Sequence, residues 1–379
     1  MTPFVLSRRE LLALSMSAAT GIGSVRTAFS QPTSTSSSPS SQPLALGPIN
    51  ETAVPPPAII PMGSSVNPAG DAINVDNCSL LLRGKRWLPT SGEYHYTRGS
   101  VEMWRDELLK MKSGGIDIVA TYIFWIHHEE VEGDWDWSGC RDLKRFVALC
   151  QEHGLYSYLR IGPWAHGECR NGGFPDWLVH GPYKLRSTDP AYMAKVARVY
   201  EQIFSQVGAL LWKQGGPIVG IQIENEYSGP PDYMEALKTL AVDTGFDVPL
   251  YTRTGWTRTK PALPFGELLP LFGQYPDGFW DRQLTQANSY RNAYLFGPHR
   301  AETGLGAIGP STTGATAPQE SAYPYFCCEI GGGMASSYHR RLHIAPMDVA
   351  AVALIKLATG NNLQGFYMYH GGTNPVGKL

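Results

Sequence analysis

The run Gln222-Ile223-Glu224-Asn225-Glu226-Tyr227 places two carboxylates and an amide at the end of an apolar segment. Gly216-Pro217 opens that segment and Ile218-Val219-Gly220-Ile221 carries it, in the β-branched pattern of a buried strand. Side chains alternate along a strand, so with Ile221 and Ile223 facing outward, Gln222, Glu224 and Glu226 share the inner face. Buried carboxylates cost free energy unless they are paired or used. A salt-bridged barrel interior would satisfy them. The chemical alternative is half of an acid/base pair whose other half comes from elsewhere in the chain.

The second carboxylate is Glu329, in a strand-like run that ends Cys328-Glu329-Ile330 before Gly331-Gly332-Gly333. No short-range pattern links it to Glu226; only a fold that brings two distant strand ends together can do so. Two carboxylates flanking a ligand are the equipment of glycoside hydrolysis: one protonates the leaving oxygen, and the other, ionised, attacks the anomeric carbon. A separation of about 5–5.5 Å gives retention through a covalent glycosyl-enzyme. The three glycines either let the backbone pass close to a ligand or form a plain loop. His127-His128-Glu129 lacks the His-x-x-x-His spacing of a zinc helix, and neighbours at a strand end face opposite sides. His166 beside Glu168 and Cys169 is an equally weak ligand cluster. No metal or cofactor is expected. Arg160 is expected to be buried against a barrel carboxylate in a structural role.

Positioning these groups needs strands whose ends converge. Strand patterns run over 90–96, 116–125, 156–164, 217–227, 248–256, 269–275, 323–330 and 363–370. Helical periodicity falls between most of them, over 101–112, 141–153, 191–212, 232–244 and 347–359. Eight strands alternating with helices over about 290 residues imply an α/β fold, a (β/α)8 TIM barrel. A doubly wound sheet would carry a Gly-rich phosphate loop after its first strand, and none is seen. In a barrel the reactive residues sit at the C-terminal strand ends, which here are polar and aromatic: Tyr122 and Trp125, Arg160 leading to Glu168, Asn225-Glu226, Glu329, and Tyr367 to His370. The sequence stops at Leu379, just after the eighth strand and before an eighth helix.

The 379 residues suffice for one large domain of about 250–300 residues plus extensions. The 43% hydrophobic and 17% charged content is that of a soluble globular protein. A net charge of −2 argues against nucleic acid or an anionic membrane as partner. The 10 Trp and 19 Tyr suit a carbohydrate cleft, with plain core packing as the competing reading for any one ring. Arg8-Arg9 before a short apolar run has the form of a bacterial twin-arginine export signal over 1–30, too short to span a bilayer as an anchor. A Ser/Pro-rich linker follows over 31–70, then the catalytic domain over 71–379. The expected location is therefore periplasmic or extracellular. Leu80 to Leu88 has the look of a hairpin closing the domain from below. Six cysteines show no Cys-x-x-Cys spacing, so no zinc site is signalled and their pairing stays open.

From about Leu88 to Asn374 the chain resembles the catalytic domain of glycoside hydrolase family 35, the exo-acting β-galactosidases. The resemblance rests on Gly92-Glu93-Tyr94-His95-Tyr96, Arg160-Ile161-Gly162-Pro163, Gly172-Gly173-Phe174-Pro175, Gln222 to Tyr227, and Tyr367 to Asn374. It implies a retaining mechanism without metal, acting on terminal β-galactose of an oligosaccharide or polysaccharide. By position it makes Glu226 the acid/base and Glu329 the nucleophile, with Glu224 lower in the barrel. It puts Asn225 on the sugar's 2-hydroxyl, and Tyr122, Glu168 and Tyr367 around the galactose. The chain departs from the family where Pro163-Trp164-Ala165-His166-Gly167-Glu168-Cys169-Arg170 stands for Pro-Tyr-x-Cys-Ala-Glu-Trp-Asn. Ile126 replaces an Asn, and Met334 replaces a Trp. The altered loop bears on the sugar's outer hydroxyls and leaves two alternatives: an exo-β-D-glucosaminidase of the same family, or a truncated non-catalytic carbohydrate-binding fragment.

Overall fold

A computed structural model describes residues 59–60, 65–253, 263–276, 291–296, 322–332 and 344–378. These fall in one compact unit, Pro56–Leu379. The expected export signal and Met334 lie outside the described residues.

The chain enters through a small antiparallel sheet of β1 (Ser65–Val66), β2 (Ala72–Val75), β3 (Leu80–Leu82) and β4 (Lys85–Trp87). The expected linker therefore ends earlier than residue 70. Ser65 and Val66 pair with β2, and Ile59 bridges to Asp76. Ile60 is buried, with its N–H on the Val75 carbonyl at 2.9 Å. Ile73, Leu80 and Trp87 of this sheet line a small void of about 20 Å3 with Ile118, Val219 and Leu363 of the barrel floor. The apolar hairpin thus covers the barrel end opposite the polar strand ends.

The barrel strands are β5 (Thr90–Tyr94), β6 (Ile118–Tyr122), β7 (Tyr156–Gly162), β8 (Ile218–Asn225), β9 (Leu250–Arg253), β10 (Leu269–Pro270), β11 (Phe272–Gln274), β12 (Tyr325–Ile330) and β13 (Asn361–His370). All pair in parallel, in the order β10-β9-β8-β7-β6-β5-β13-β12-β11. This is a nearly closed barrel of nine parallel strands. The two edge strands are one segment interrupted at Leu271, whose N–H goes to the Thr252 carbonyl at 2.9 Å. One half of that segment bonds β9 and the other bonds β12, which is why the sheet curls into a barrel.

The helices follow the apolar periodicity. Among the described residues they are α1 (Val101–Ser113), α2 (Trp125–His128), α3 (Leu143–Glu152), α4 (Asp176–Val179), α5 (Pro190–Val207), α6 (Pro231–Thr244) and α7 (Pro346–Ala358). The Asp142 carboxylate accepts the Arg145 N–H and starts α3; Leu143, Phe146, Val147 and Cys150 form its buried stripe. Asp189 caps α5 the same way, with Pro190 in its first turn. That helix is shorter than its periodicity predicts. After Gly208 the chain passes into two 3-10 turns; Leu211 then bridges to Ile218, and the Trp212 indole N–H bonds the Asp71 carbonyl. The last apolar residues of the pattern thus pack at the foot of β8 and against the entry sheet. All six cysteines are free thiols, and Cys327 and Cys328 are buried neighbours on β12.

Candidate active site

At the C-terminal end of the barrel lies a cavity of about 310 Å3. Tyr122 ends β6, Asn225 ends β8, and Glu226 follows it. Glu329 projects from β12 and Tyr367 from β13. Glu168 reaches in from the loop after β7. All six residues singled out from the sequence line this one cavity.

Glu329 is held from three sides. Arg160 Nη2 donates to its Oε1 at 2.6 Å, the Tyr275 hydroxyl donates to its Oε2 at 3.0 Å, and Arg253 Nε lies 3.2 Å from Oε2. Arg160 is completely buried. It also bonds Glu93 at 2.8 Å, Asn225 Oδ1 at 3.0 Å and Gln222 Oε1 at 3.1 Å, and its guanidinium lies 3.8 Å from the Tyr122 ring centre. The structural role expected for Arg160 is therefore also a role at the site, because its carboxylate partners include Glu329. Burial pushes the Tyr122, Tyr275 and Tyr367 phenols well above their usual range, so all three remain protonated donors. The Tyr367 hydroxyl donates a hydrogen bond to Glu168 Oε2 at 2.5 Å.

Beneath this layer Glu93 and His95 form a buried pair, Nε2 to Oε1 at 2.9 Å. Arg98 Nη1 donates to His95 Nδ1 at 2.6 Å, so the ring proton sits on Nε2 and goes to Glu93. Burial, with Arg98 and Arg160 nearby, holds His95 far below the usual imidazole range and therefore neutral. Burial also raises Glu93, against the opposing pull of Arg160.

Glu226 stands apart. Its carboxylate lies 3.1 Å from His166 Nδ1 and 3.5 Å from Arg253 Nη2. Arg253 thus touches both carboxylates of the pair. Neither Arg253 nor Tyr275 was singled out from the sequence. Tyr275, at the end of an expected strand, could be found by reading strand ends for phenols; Arg253 lies inside its expected strand, 248–256, and ends β9 only in the structure.

Glu224 does not share the inner face with Glu226. Its φ of 56° and that of Glu226 at 50° are left-handed, and the β8–β9 register shifts between Gln222 and Asn225. The strand's alternation fails there. Glu224 turns toward the helix layer, where Arg186 grips it with two bonds of 3.1 and 2.8 Å and the Tyr233 hydroxyl of α6 donates at 3.1 Å. It is a structural anchor, not a group lower in the barrel.

The histidine run on α2 is likewise structural. His127 Nδ1 meets the Thr97 hydroxyl at 2.8 Å, His128 Nε2 meets the Tyr96 hydroxyl at 2.6 Å, and Glu129 accepts from the Trp125 indole at 2.7 Å and the Gly133 N–H at 2.8 Å. Among the described residues no three His, Cys, Asp or Glu side chains gather as a metal site. The described rings lining the cavity are three tyrosines and the His166 imidazole; no tryptophan is among them.

A parallel barrel with two carboxylates meeting at its C-terminal mouth is the architecture of a barrel glycoside hydrolase. Residues 79–376 match Glycosyl hydrolases family 35, and the chain belongs to that family. Among curated proteins it is 32% identical over 314 residues to Beta-galactosidase 6 of Oryza sativa subsp. japonica, covering 81% of this chain and 32% of that protein. It is 31% identical over 326 residues to Beta-galactosidase 7 of the same plant, covering 80% and 37%. The chain thus spans about a third of the length of these relatives. In solved structures, the exo-beta-1,4-mannosidase of Opitutaceae bacterium strain TAV5 shares the fold, with a TM-score of 0.50, 15% identity, and coverage of 82% of this chain and 54% of that one.

Proposed function

We propose that the chain is the catalytic barrel of an exo-acting, retaining β-galactosidase that releases terminal non-reducing β-D-galactose from oligosaccharides or polysaccharides. The observation that carries this reading is that Glu226 and Glu329 share one cavity in unlike surroundings. Two guanidinium groups and a phenol face Glu329, which suits an anion that attacks the anomeric carbon. Glu226 faces an imidazole at the open side, which suits a group that trades protons with a leaving group and then with water. In the first step Glu226 gives its proton to the glycosidic oxygen as the C1–O bond breaks, and a Glu329 oxygen bonds C1. In the second, Glu226 takes a proton from water as the water oxygen bonds C1, and Glu329 departs as a carboxylate. Asn225 serves the 2-hydroxyl; Tyr122, Glu168 and Tyr367 hold the rest of the sugar. The names of the rice relatives favour galactose.

The test is a panel of aryl β-glycosides (galactoside, glucosaminide, glucoside, fucoside), with the anomer released followed by proton NMR. Preferred turnover of the galactoside with β-galactose appearing first is the expected result. First release of the α-anomer would overturn retention. Preference for the glucosaminide would move the assignment to an exo-β-D-glucosaminidase. A folded protein inert on the whole panel would leave carbohydrate binding alone. The same reading includes twin-arginine export: replacing Arg8 and Arg9 by lysine in a bacterial host should retain the protein in the cytoplasm.

A further inference from the structure

The loop after β7 carries a residue pair that the acid/base assignment does not use. His166, Gly167 and Glu168 are three consecutive left-handed residues, with φ of 56°, 55° and 51°. Two of them bear side chains, and for such residues this conformation costs roughly 1–2 kcal/mol each. The turn is clamped. Arg98 Nη2 bonds the Gly167 carbonyl, and Asn374 Nδ2 bonds the Glu168 carbonyl at 3.2 Å. A side chain at position 167 would come within 2.6 Å of the Phe124 ring, so glycine is required there. The strained turn sends Glu168 to Tyr367 on one side of the cavity and His166 to Glu226 on the other.

The hydrogen bonds around Asn225 determine what His166 offers. Asn225 Oδ1 accepts from Arg160 at 3.0 Å and from Gln222 Nε2 at 3.1 Å. Its Nδ2 therefore points the other way, to His166 Nδ1 at 3.3 Å. An amide nitrogen only donates, so Nδ1 presents its lone pair and the ring proton is on Nε2. The same Nδ1 lies 3.1 Å from Glu226 Oε2. That one lone pair, shared with the Asn225 amide, can accept the proton of a neutral Glu226 carboxyl and repels a carboxylate oxygen.

On the reading that Glu226 is the acid, we propose that His166, through its Nδ1 lone pair, is a positioning residue that holds Glu226 in its protonated, proton-donating form. Arg253, 3.5 Å from the other Glu226 oxygen, pulls toward the anion, and His166 opposes it. Among the described residues, Glu224 pairs with Arg186, Glu168 accepts from Tyr367, and Glu329 pairs with Arg160 and Arg253.

The test compares His166→Gly, which keeps the left-handed backbone and removes the imidazole, with His166→Asn, which tolerates that backbone and leaves an acceptor near Nδ1. In the full chain, the basic limb of kcat/KM against pH for lactose should move down by about one pH unit in His166→Gly and return in His166→Asn. At neutral pH His166→Gly should lose about tenfold on lactose and less than about twofold on dinitrophenyl β-galactoside, whose leaving group needs no proton. An unmoved basic limb, or equal losses on both substrates, would overturn the proposal. Nitrogen-15 NMR of the wild-type histidines gives a reading independent of any variant. The Nε2–H tautomer of His166 is expected, and the Nδ1–H tautomer would refute it. Glu226→Gln on the same two substrates separates the layers of the argument. Equal losses there would remove the acid assignment itself. A skew there without one in His166→Gly would remove only the role of His166.

Discussion

The two carboxylates of the cavity are held by opposite means. Glu329 sits in a buried lattice of strand residues, with Arg160 from β7, Arg253 from β9 and Tyr275 at the end of β11. Its partners are permanently charged or permanently protonated, and their backbones belong to the barrel. Glu226 stands just past the end of β8, on a left-handed backbone, against a half-exposed imidazole borne by a strained loop. One side is built by the sheet, against two guanidinium groups and a phenol. The other depends on loop geometry and faces an imidazole. The proposed retaining reaction would use that asymmetry, since one carboxylate must stay an anion until it bonds carbon while the other must cycle.

The strongest way to break the comparison is at its rigid side. Glu329→Gly should lower turnover of any glycoside by at least about 10^4-fold while leaving sugar binding measurable by calorimetry. Substantial residual turnover would remove Glu329 as nucleophile. On the adaptable side, Glu226→Gln should cost on the order of 10^3-fold on lactose and far less on dinitrophenyl β-galactoside, a split that steady-state kinetics resolves. Arg160→Met tests whether the lattice is also the scaffold. It removes the guanidinium paired to Glu93 and leaves Glu329 with Arg253, and urea unfolding should show a loss of about 3–5 kcal/mol.

Acid should separate the scaffold from the adaptable side. Burial lowers His127 to about 2 and His128 to about 4, against about 6.5 for an unfolded histidine. Their folded-state pKa values are depressed, so as pH falls below about 6.5 the unfolded chain takes up protons that the folded chain does not. Each should remove roughly 2 kcal/mol of stability by pH 5, partly offset by Glu93 and Glu129, whose pKa values burial raises. Urea midpoints at pH 7 and pH 5 should therefore differ, and His127→Gln should narrow the gap. The smallest effect is expected at the sugar rim. Tyr367→Phe removes the hydrogen bond to Glu168 and should raise KM for galactosides about tenfold with little change in kcat.

Much of this was legible along the chain. The strand ends at Tyr122, Asn225, Glu226, Glu329 and Tyr367 were readable because each follows a buried β-branched or aromatic run, and those runs are strands in the structure, several of them shorter than expected. Glu224 was misplaced because period-two alternation holds only while the backbone stays extended, and two left-handed residues end it. Arg253 was overlooked because nothing local distinguishes a cation facing two distant carboxylates from an ordinary strand residue.

The sequence by itself determined the alternation of strands and helices, hence the barrel, and the identity of the groups at its mouth. Those follow from short-range periodicity and side-chain chemistry. Only the tertiary structure decided which groups meet. The contacts of Arg160 with Glu329, of Arg253 with both carboxylates, and of His166 with Glu226 span strands and loops far apart in the chain. Closure of the sheet brings them within a few ångströms, and burial then determines which of the groups around the pair remain charged.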